Sequence, residues 1–351
     1  MHVAVSGWLL GAHSGANRRL CELLRHTAPL LADGERITLL HREGDRPRDV
    51  PDRIELRPIA IPGNPSWLRA ANEWRRLASA IREIGASVCD HGFLPAPRVP
   101  CALALTVHDV RDADGIGTRS PRLARLLLRR AATRAAAIVV PSTFTERRVL
   151  AFAPRARTVV VPNGTDLPDP ATPATSTIAS ARLVHVGHLE PRKNLEMLVR
   201  ALALTDRAAH NELWLVGADA GSGASLRALA HSLGVADRVT FTGPVDDGEL
   251  RRIYRSAGAI VVPSVYEGFG LAALEGLAHG RPTLVADCGA LPEVIGAAGT
   301  ALPAHDPRAW ANAFATIDDS EPARRARMQR AAEFSWQRAA RAMLDVWRSL
   351  S

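Results

Sequence analysis

The sequence predicts an α/β chain of two doubly wound domains, each a parallel sheet with helices on both faces. Three observations predict it. Short apolar, β-branched runs alternate with helix-period stretches along nearly the whole chain, and such alternation gives parallel sheets. The alternation lapses once, at Asp166–Ser180 (DLPDPATPATSTIAS), which is rich in Pro, Thr, Ser and Ala and has no period. The length, 351 residues, is that of about two ordinary domains.

Before the seam, His2–Ser6, Ile37–Leu40, Ser87–Asp90, Cys101–Val107, Ala137–Val140 and Thr158–Val161 read as buried strands. Between them Ala16–Leu31, Leu68–Ile84 and Arg122–Ala136 have helical periodicity. After the seam the pattern restarts. Arg182–Gly187, Glu212–Gly217, Arg238–Thr242, Ala259–Val262 and Pro282–Ala286 read as strands. Asn194–Leu204, Ala224–Ser232, Asp247–Ser256, Ala272–His279 and Pro307–Thr316 are the helices between and after them. Ser335–Leu350 closes the chain as an amphipathic helix with Trp336, Ala340, Met343, Leu344 and Trp347 on one side.

Composition excludes several classes. With 47% hydrophobic and 23% charged residues the chain is neither disordered nor collagen-like. No apolar run reaches the ~18 residues of a membrane span. The first twelve residues are mostly apolar but lack a basic n-region, and read as a first strand and loop rather than a signal peptide. Cys21, Cys89, Cys101 and Cys288 show neither zinc spacing nor a disulfide framework, which suits a reducing cytosol. The net charge of +8 is carried almost wholly by arginine, since Lys193 is the only lysine. In such a chain a lysine marks a place where a compact ammonium is wanted.

In open parallel sheets ligands sit beyond the carboxyl ends of the strands, so the chemistry belongs in loops that follow strands. The strongest such motif is Tyr266-Glu267-Gly268-Phe269-Gly270-Leu271-Ala272-Ala273-Leu274-Glu275. Its glycines allow close approach of a ligand, and the amides near Phe269–Leu271 open a helix, a ready anion site. Glu267 and Glu275 are separated by about 12 Å along an ideal helix and about 80° around it. They would not share a proton, but they suit the two ends of one extended polar ligand. Gly187-His188-Leu189-Glu190-Pro191-Arg192-Lys193-Asn194 puts two cations at a helix start, where the macrodipole disfavours them. A bound diphosphate would account for them, and a solvated basic turn is the alternative.

Weaker signals lie in the first half. Ser14-Gly15-Ala16-Asn17-Arg18 follows the first strand and reads equally as a ligand loop or as a helix capped by Ser14. Neither GxGxxG nor GxxxxGK occurs, which speaks against a dinucleotide enzyme or a P-loop NTPase. Thr106-Val107-His108-Asp109 places a histidine and a carboxylate at a strand end, suited to a sugar hydroxyl or a proton. Asp112-Ala113-Asp114 has the form of a metal-binding DxD but reads better as part of a solvated loop, Asp112–Ser120. Arg122–Arg134 is basic and amphipathic. It is expected to be a packed helix with a solvated arginine face, the alternative being weak contact with an anionic membrane.

Together these motifs resemble glycosyltransferase family 4, retaining sugar transferases of the GT-B fold, over nearly the whole chain. Asp90-His91-Gly92-Phe93-Leu94-Pro95 and Thr106–Asp109 are similar to the family's N-domain signatures. Pro162-Asn163-Gly164-Thr165-Asp166 resembles its NG-x-D, Gly187–Asn194 its G-x-L-x-x-RKN, and Glu267–Glu275 its E-x7-E after Pro263-Ser264. Ala272 departs from the proline common there, which would only soften the helix start. The resemblance implies two Rossmann-like domains facing each other across a cleft. Residues 1–165 would bind the acceptor, 166–180 would link, and 181–334 would bind the donor, with helix 335–351 packing back on the first domain.

It also implies roles. Arg192 and Lys193 would neutralise the donor diphosphate, beside Gly187, and Glu275 would hold the ribose. Glu267, Gly268, Phe269, Gly270 and Leu271 would hold the transferred sugar and phosphates. Thr242, Gly243 and Val245 would wall the nucleobase. Gly15 would let its loop close on the diphosphate or the acceptor, and His108 would reach the sugar near the reacting carbon. His91, Asp109, Asn17 and Arg18 are the candidates on the acceptor side. The donor expected first is GDP-mannose, then a UDP-hexose. The acceptor is a glycan, a lipid-linked sugar or a small molecule, and neither a metal, another cofactor nor a nucleic acid is expected. The place is the cytoplasm, with the inner membrane face as an option. The rivals are an epimerase or phosphorylase on the same fold, or a non-catalytic basic binding protein.

Overall fold

A computed structural model describes residues 1–7, 15–44, 47, 50–60, 66–117, 120–167, 182–206 and 212–351, with side chains from residue 75 in the helix that begins at Ser66. The chain forms two compact units, one of Met1–Gly164 with Ser335–Ser351 and one of Thr165–Phe334. Ser14, Gly11 and most of the Asp166–Ser180 seam lie outside the described residues.

The first unit has the strands β1 (His2–Ser6), β2 (Arg36–Arg42), β3 (Glu55–Ile59), β4 (Val88–His91), β5 (Ala102–Thr106), β6 (Ala137–Val140) and β7 (Thr158–Val160). Its helices are α1 (Gly15–Thr27), α2 (Ser66–Ile84), α3 (Arg111–Asp114), α4 (Pro121–Ala132) and α5 (Thr143–Phe152). The sheet is parallel throughout, in the order β3-β2-β1-β4-β5-β6-β7. Strand order reverses between β1 and β4, the point where open α/β sheets take ligands.

The second unit repeats the plan. Its strands are β8 (Arg182–Val186), β9 (Glu212–Val216), β10 (Val239–Gly243), β11 (Ala259–Val262), β12 (Thr283–Ala286) and β13 (Thr300–Leu302). Its helices are α6 (Leu195–Ala203), α7 (Gly223–Ser232), α8 (Asp247–Ser256), α9 (Leu271–Ala278), α10 (Leu291–Ile295), α11 (Pro307–Ala315) and α12 (Glu321–Ala332). The parallel order is β10-β9-β8-β11-β12-β13, with its reversal between β8 and β11.

The final helix, α13 (Trp336–Ser349), belongs to the first unit. Ser335 caps it by accepting from Arg338 N. Trp336, Ala340, Met343, Leu344 and Trp347 are all buried, as the amphipathic pattern predicts.

The differences from the sequence reading have local causes. β3 and β13 are edge strands, and a short edge strand needs no unbroken apolar run. β3 even carries Pro58, and Glu55 forms an ion pair across to Arg36. Arg111–Asp114 is a helical turn, not loop: Asp109 accepts from Arg111 N, and Ala113 is buried. α12 buries only Arg327 and Ala331, so it shows no apolar stripe. Instead Arg324 pairs with Asp319, and Arg327 reaches both Asp319 and the Gly280 carbonyl.

Candidate functional site

In the second unit the loops after β8 and β11 flank the reversal of strand order, and they carry the two strongest motifs. Asn194 ends the first loop in the left-handed region (φ 54°), which asparagine tolerates better than most side chains. Its amide donates to Pro263 O (3.2 Å) and Ala304 O (2.7 Å), and Val265 N donates to Arg192 O (3.0 Å). The two loops are thereby fastened side by side.

The fastening brings four charges together. Lys193 Nζ lies 2.6 Å from Glu267 Oε1, and Arg192 Nη1 lies 3.3 Å from Glu267 Oε2. Arg192 also binds Glu190 (2.7 Å) and donates to Tyr266 O (3.2 Å). Burial by itself would raise the Glu267 carboxyl, but the adjacent Lys193 and Arg192 charges outweigh it and bring it down to about 2. Glu267 is therefore an ionised acceptor at neutral pH, not an acid. The cations, turned toward carboxylates, sit in a 3-10 turn ahead of α6, which relieves the clash with its macrodipole.

Beside this cluster α9 begins. Gly270, its N-cap, has φ 108°, and a Cβ there would stand 2.6 Å from Leu291 Cδ2. Backbone and packing both demand glycine. At the start of α9 the amides of Leu271 and Ala272 have no intrahelical acceptor, whereas those of Ala273 and Leu274 donate to Gly270 O (3.1 Å each), and a helix start of this kind suits an anion. Phe269 is buried and meets Phe334 edge-on (5.8 Å), so its ring is core and only its backbone can serve a ligand. Glu275 is buried in α9 and accepts from Tyr254 OH (2.6 Å), while the Tyr254 ring stacks on His279 (5.3 Å). Thr242 and Gly243 end the edge strand β10, and Val245 packs on the core. Gly243 O accepts from Gly217 N (3.0 Å).

In the first unit a pocket at the β1/β4 reversal is lined by Ser6, Arg19, Asp90, Thr106, His108 and Trp347, among others. Arg19 went unsingled in the sequence, though its signal was present: it stands four residues before Leu23, on the buried face of α1. Its guanidinium is buried, donates to Val161 O (2.9 Å) and Asn163, and is lowered by that burial to about 10. Burial likewise raises Asp90 to about 6, while Trp347 Nε1 donates to it (2.8 Å). Burial and the Arg19 charge push His108 down to about 3. His91 is buried, bonds Ser6 Oγ (2.9 Å), and is lowered by burial to about 4. Its ring is turned inward onto Ser6, which itself lines the pocket.

Gly15 is the exposed first residue of α1, Asn17 is buried and Arg18 half-buried. Asp109 serves α3 by accepting from Arg111 N, 3.1 Å away. Asp112 is exposed, whereas Asp114 is held by Arg148, so the two carboxylates have different partners. In and just after α4, Arg125, Arg129 and Arg134 donate to Ala113 O, Phe152 O and Ala96 O, which leaves Leu123 and Leu126 exposed.

Residues 13–168 match the family model described as Glycosyltransferase Family 4, and residues 180–319 that described as Glycosyl transferases group 1. A D-inositol 3-phosphate glycosyltransferase of Kineococcus radiotolerans is 34% identical over 297 residues, 73% of this chain and 68% of that protein. The protein of that name from Mycolicibacterium smegmatis is 36% identical over 209 residues, 55% of this chain and 47% of the relative. The chain spans less than half the length of the first curated relatives it matches. Sucrose-phosphate synthase of Thermosynechococcus elongatus has a TM-score of 0.82 at 22% identity, covering 100% of this chain and 99% of that one. Anabaena HepE in complex with UDP-glucose has a TM-score of 0.76 at 18% identity, covering 100% of both. These two likenesses establish the fold, which is GT-B.

Proposed function

The chain belongs to glycosyltransferase family 4, and from that membership we propose that it is a retaining hexosyltransferase that needs no metal. It would move a hexose from a nucleoside-diphosphate sugar to a hydroxyl of a glycan, lipid-linked or small-molecule acceptor. The observation that carries this reading is the Arg192–Lys193–Glu267 cluster beside the open end of α9.

The reaction breaks the bond from the anomeric carbon to the diphosphate. Charge grows on the leaving oxygen, and fixed cations and helix amides stabilise that state more than the ground state. Lys193 and Arg192 supply the cations and the start of α9 the amides. Glu267, ionised by its neighbours, accepts from hydroxyls of the transferred sugar. Glu275, steadied by Tyr254, takes the ribose hydroxyls. With the cations neutralising it, the leaving phosphate itself can accept the acceptor's proton on the face it departs from, which gives retention. His108 is neutral at pH 7 and acts as an uncharged hydrogen-bonding group.

Of the two donors expected from the sequence, GDP-mannose and a UDP-hexose, we favour the UDP-hexose, because a solved protein of the same fold holds UDP-glucose. The names of the relatives make a polyol phosphate a small-molecule acceptor to try first. No described helix is long and apolar enough to cross a membrane. We place the enzyme in the cytoplasm, where activated sugars are made.

A thermal-shift panel of UDP, GDP, ADP and TDP, each with and without EDTA, tests the reading. One diphosphate should raise Tm selectively, with or without the chelator. No shift with any of them would count against the donor site and favour a binding protein. A shift abolished by EDTA and restored by magnesium would count against the metal-free mechanism.

A further inference from the structure

Behind the Arg192–Lys193 turn lies a histidine that the proposed chemistry does not use. His185 sits within β8 and exposes none of its surface. Its Nδ1 lies 3.1 Å from the Val261 carbonyl oxygen, so Nδ1 carries the proton and donates, and Nε2 is left as a bare acceptor. Nε2 is buried and has no hydrogen-bond partner. It faces the hollow beside Gly187: a Cβ built on Gly187 would stand 3.4 Å from His185 Nε2 and 3.6 Å from Lys193 Nζ. The imidazole and the ammonium line the same small space. Burial first, then the Lys193 and Arg192 charges, hold the ring neutral down to about 4, against the opposing pull of the Val261 carbonyl and the Glu267 carboxylate.

We infer that His185 is a positioning residue for Lys193: its Nε2 lone pair shares the ammonium with Glu267 and leaves the third N–H for an anionic oxygen of the ligand. A buried lone pair requires a donor, and Lys193 is the one at hand. An imidazole suits the task better than a carboxylate would. A carboxylate would neutralise the ammonium and repel an incoming diphosphate, whereas a neutral ring directs the cation and leaves its charge available. The inference takes the identity of the ligand from the proposed function. The inferred His185–Lys193 pairing needs no ligand, only that Nζ move across the hollow beside Gly187 to Nε2, so it is tested on the free protein.

Because Lys193 is the only lysine, the untagged chain labelled with 15Nζ-lysine gives a single ammonium signal. His185→Leu and His185→Phe fill the space without a lone pair, and His185→Gln returns an acceptor. In the apolar variants the Nζ signal should move and its protons should exchange with water several-fold faster, and His185→Gln should reverse most of both effects. Nucleoside diphosphate should bind the apolar variants about tenfold more weakly. A folded apolar variant with an unchanged Nζ signal overturns the inference. So does a His185→Gln variant indistinguishable from the apolar ones, which also covers the case where one of them does not fold. If the signal moves as expected but no form binds any nucleoside diphosphate, the pairing stands and the transferase reading falls.

Discussion

Lys193 is held by one carboxylate within 2.6 Å, while Glu267 retains Arg192 as a second partner. Removing the ammonium therefore unbalances the site without leaving Glu267 unpaired. Lys193→Ala should lower turnover by about 10²- to 10³-fold, the scale of losing one transition-state donor, and should move Tm by only a few degrees. Matched losses of activity and stability would show Lys193 to be structural. Gly270 is a sharper backbone test. Gly270→Ala forces a side chain into a left-handed conformation and against Leu291, at a cost of about 1–2 kcal/mol for the backbone alone. It should both destabilise the second unit and weaken diphosphate binding, read by denaturant titration and thermal shift. Asn194 and the pair Arg192–Lys193 were legible as residues. Which partners they have was not, because all but Glu190, the near neighbour of Arg192, lie about seventy residues or more away in the chain.

At the scale of elements, α13 shows how a terminal helix is tied down. A Cβ on Gly164 would collide with the backbone of Ser335 and Trp336, so the helix enters directly over that glycine. Gly164→Ala should push the start of α13 away and loosen the first unit. Hydrogen exchange of the α13 amides should rise well before that of the β1 amides. Trp347 does two jobs, filling the core and donating to Asp90. Trp347→Phe keeps most of the packing and should cost about 1–3 kcal/mol by leaving the buried acceptor without its donor. Trp347→Ala adds a cavity and should cost roughly 3–5 kcal/mol. A Trp347→Phe variant as stable as the parent would show that the indole N–H carries no weight. The apolar face of α13 could be read from its period, but its docking on the first unit entered only through the family resemblance, since periodicity names a face and not what covers it.

At the scale of the whole molecule, two buried histidines and the partly buried His108 dominate the response to acid. His91 and His185 stay neutral down to about 4 and His108 to about 3, against 6.5 in an unfolded chain. Between those values the unfolded state binds more protons, so this stabilisation is complete above about pH 6.5 and drains away as pH falls toward 4. Asp90, raised to about 6 from 3.8, works in the opposite sense: its contribution is present below 3.8 and is lost as pH rises through about 6. The three histidines outweigh Asp90, and Glu267, lowered to about 2, acts with them, so Tm should drop by several degrees between pH 7 and pH 4.5. His185→Gln should flatten that slope, and a Tm independent of pH over this range would refute the assignment.

The alternation of strand and helix and the Pro/Thr-rich seam were enough to predict two parallel-sheet units, because period and turn chemistry are local properties of the chain. The same local logic missed β3 and α12. One is an edge strand free to be polar, and the other is held by arginine-to-carbonyl and arginine-to-carboxylate bonds instead of an apolar stripe. The motif residues of the second unit were likewise legible, since ligand loops follow strands at fixed places. Tertiary structure alone decided that Lys193 and Arg192 share Glu267, that Arg19 and not Arg18 is buried beside Asp90 and His108, and that His185 lies behind the cations. Those are matters of which distant residues burial brings together, and a charge's partners and protonation depend on that environment, not on its neighbours along the chain.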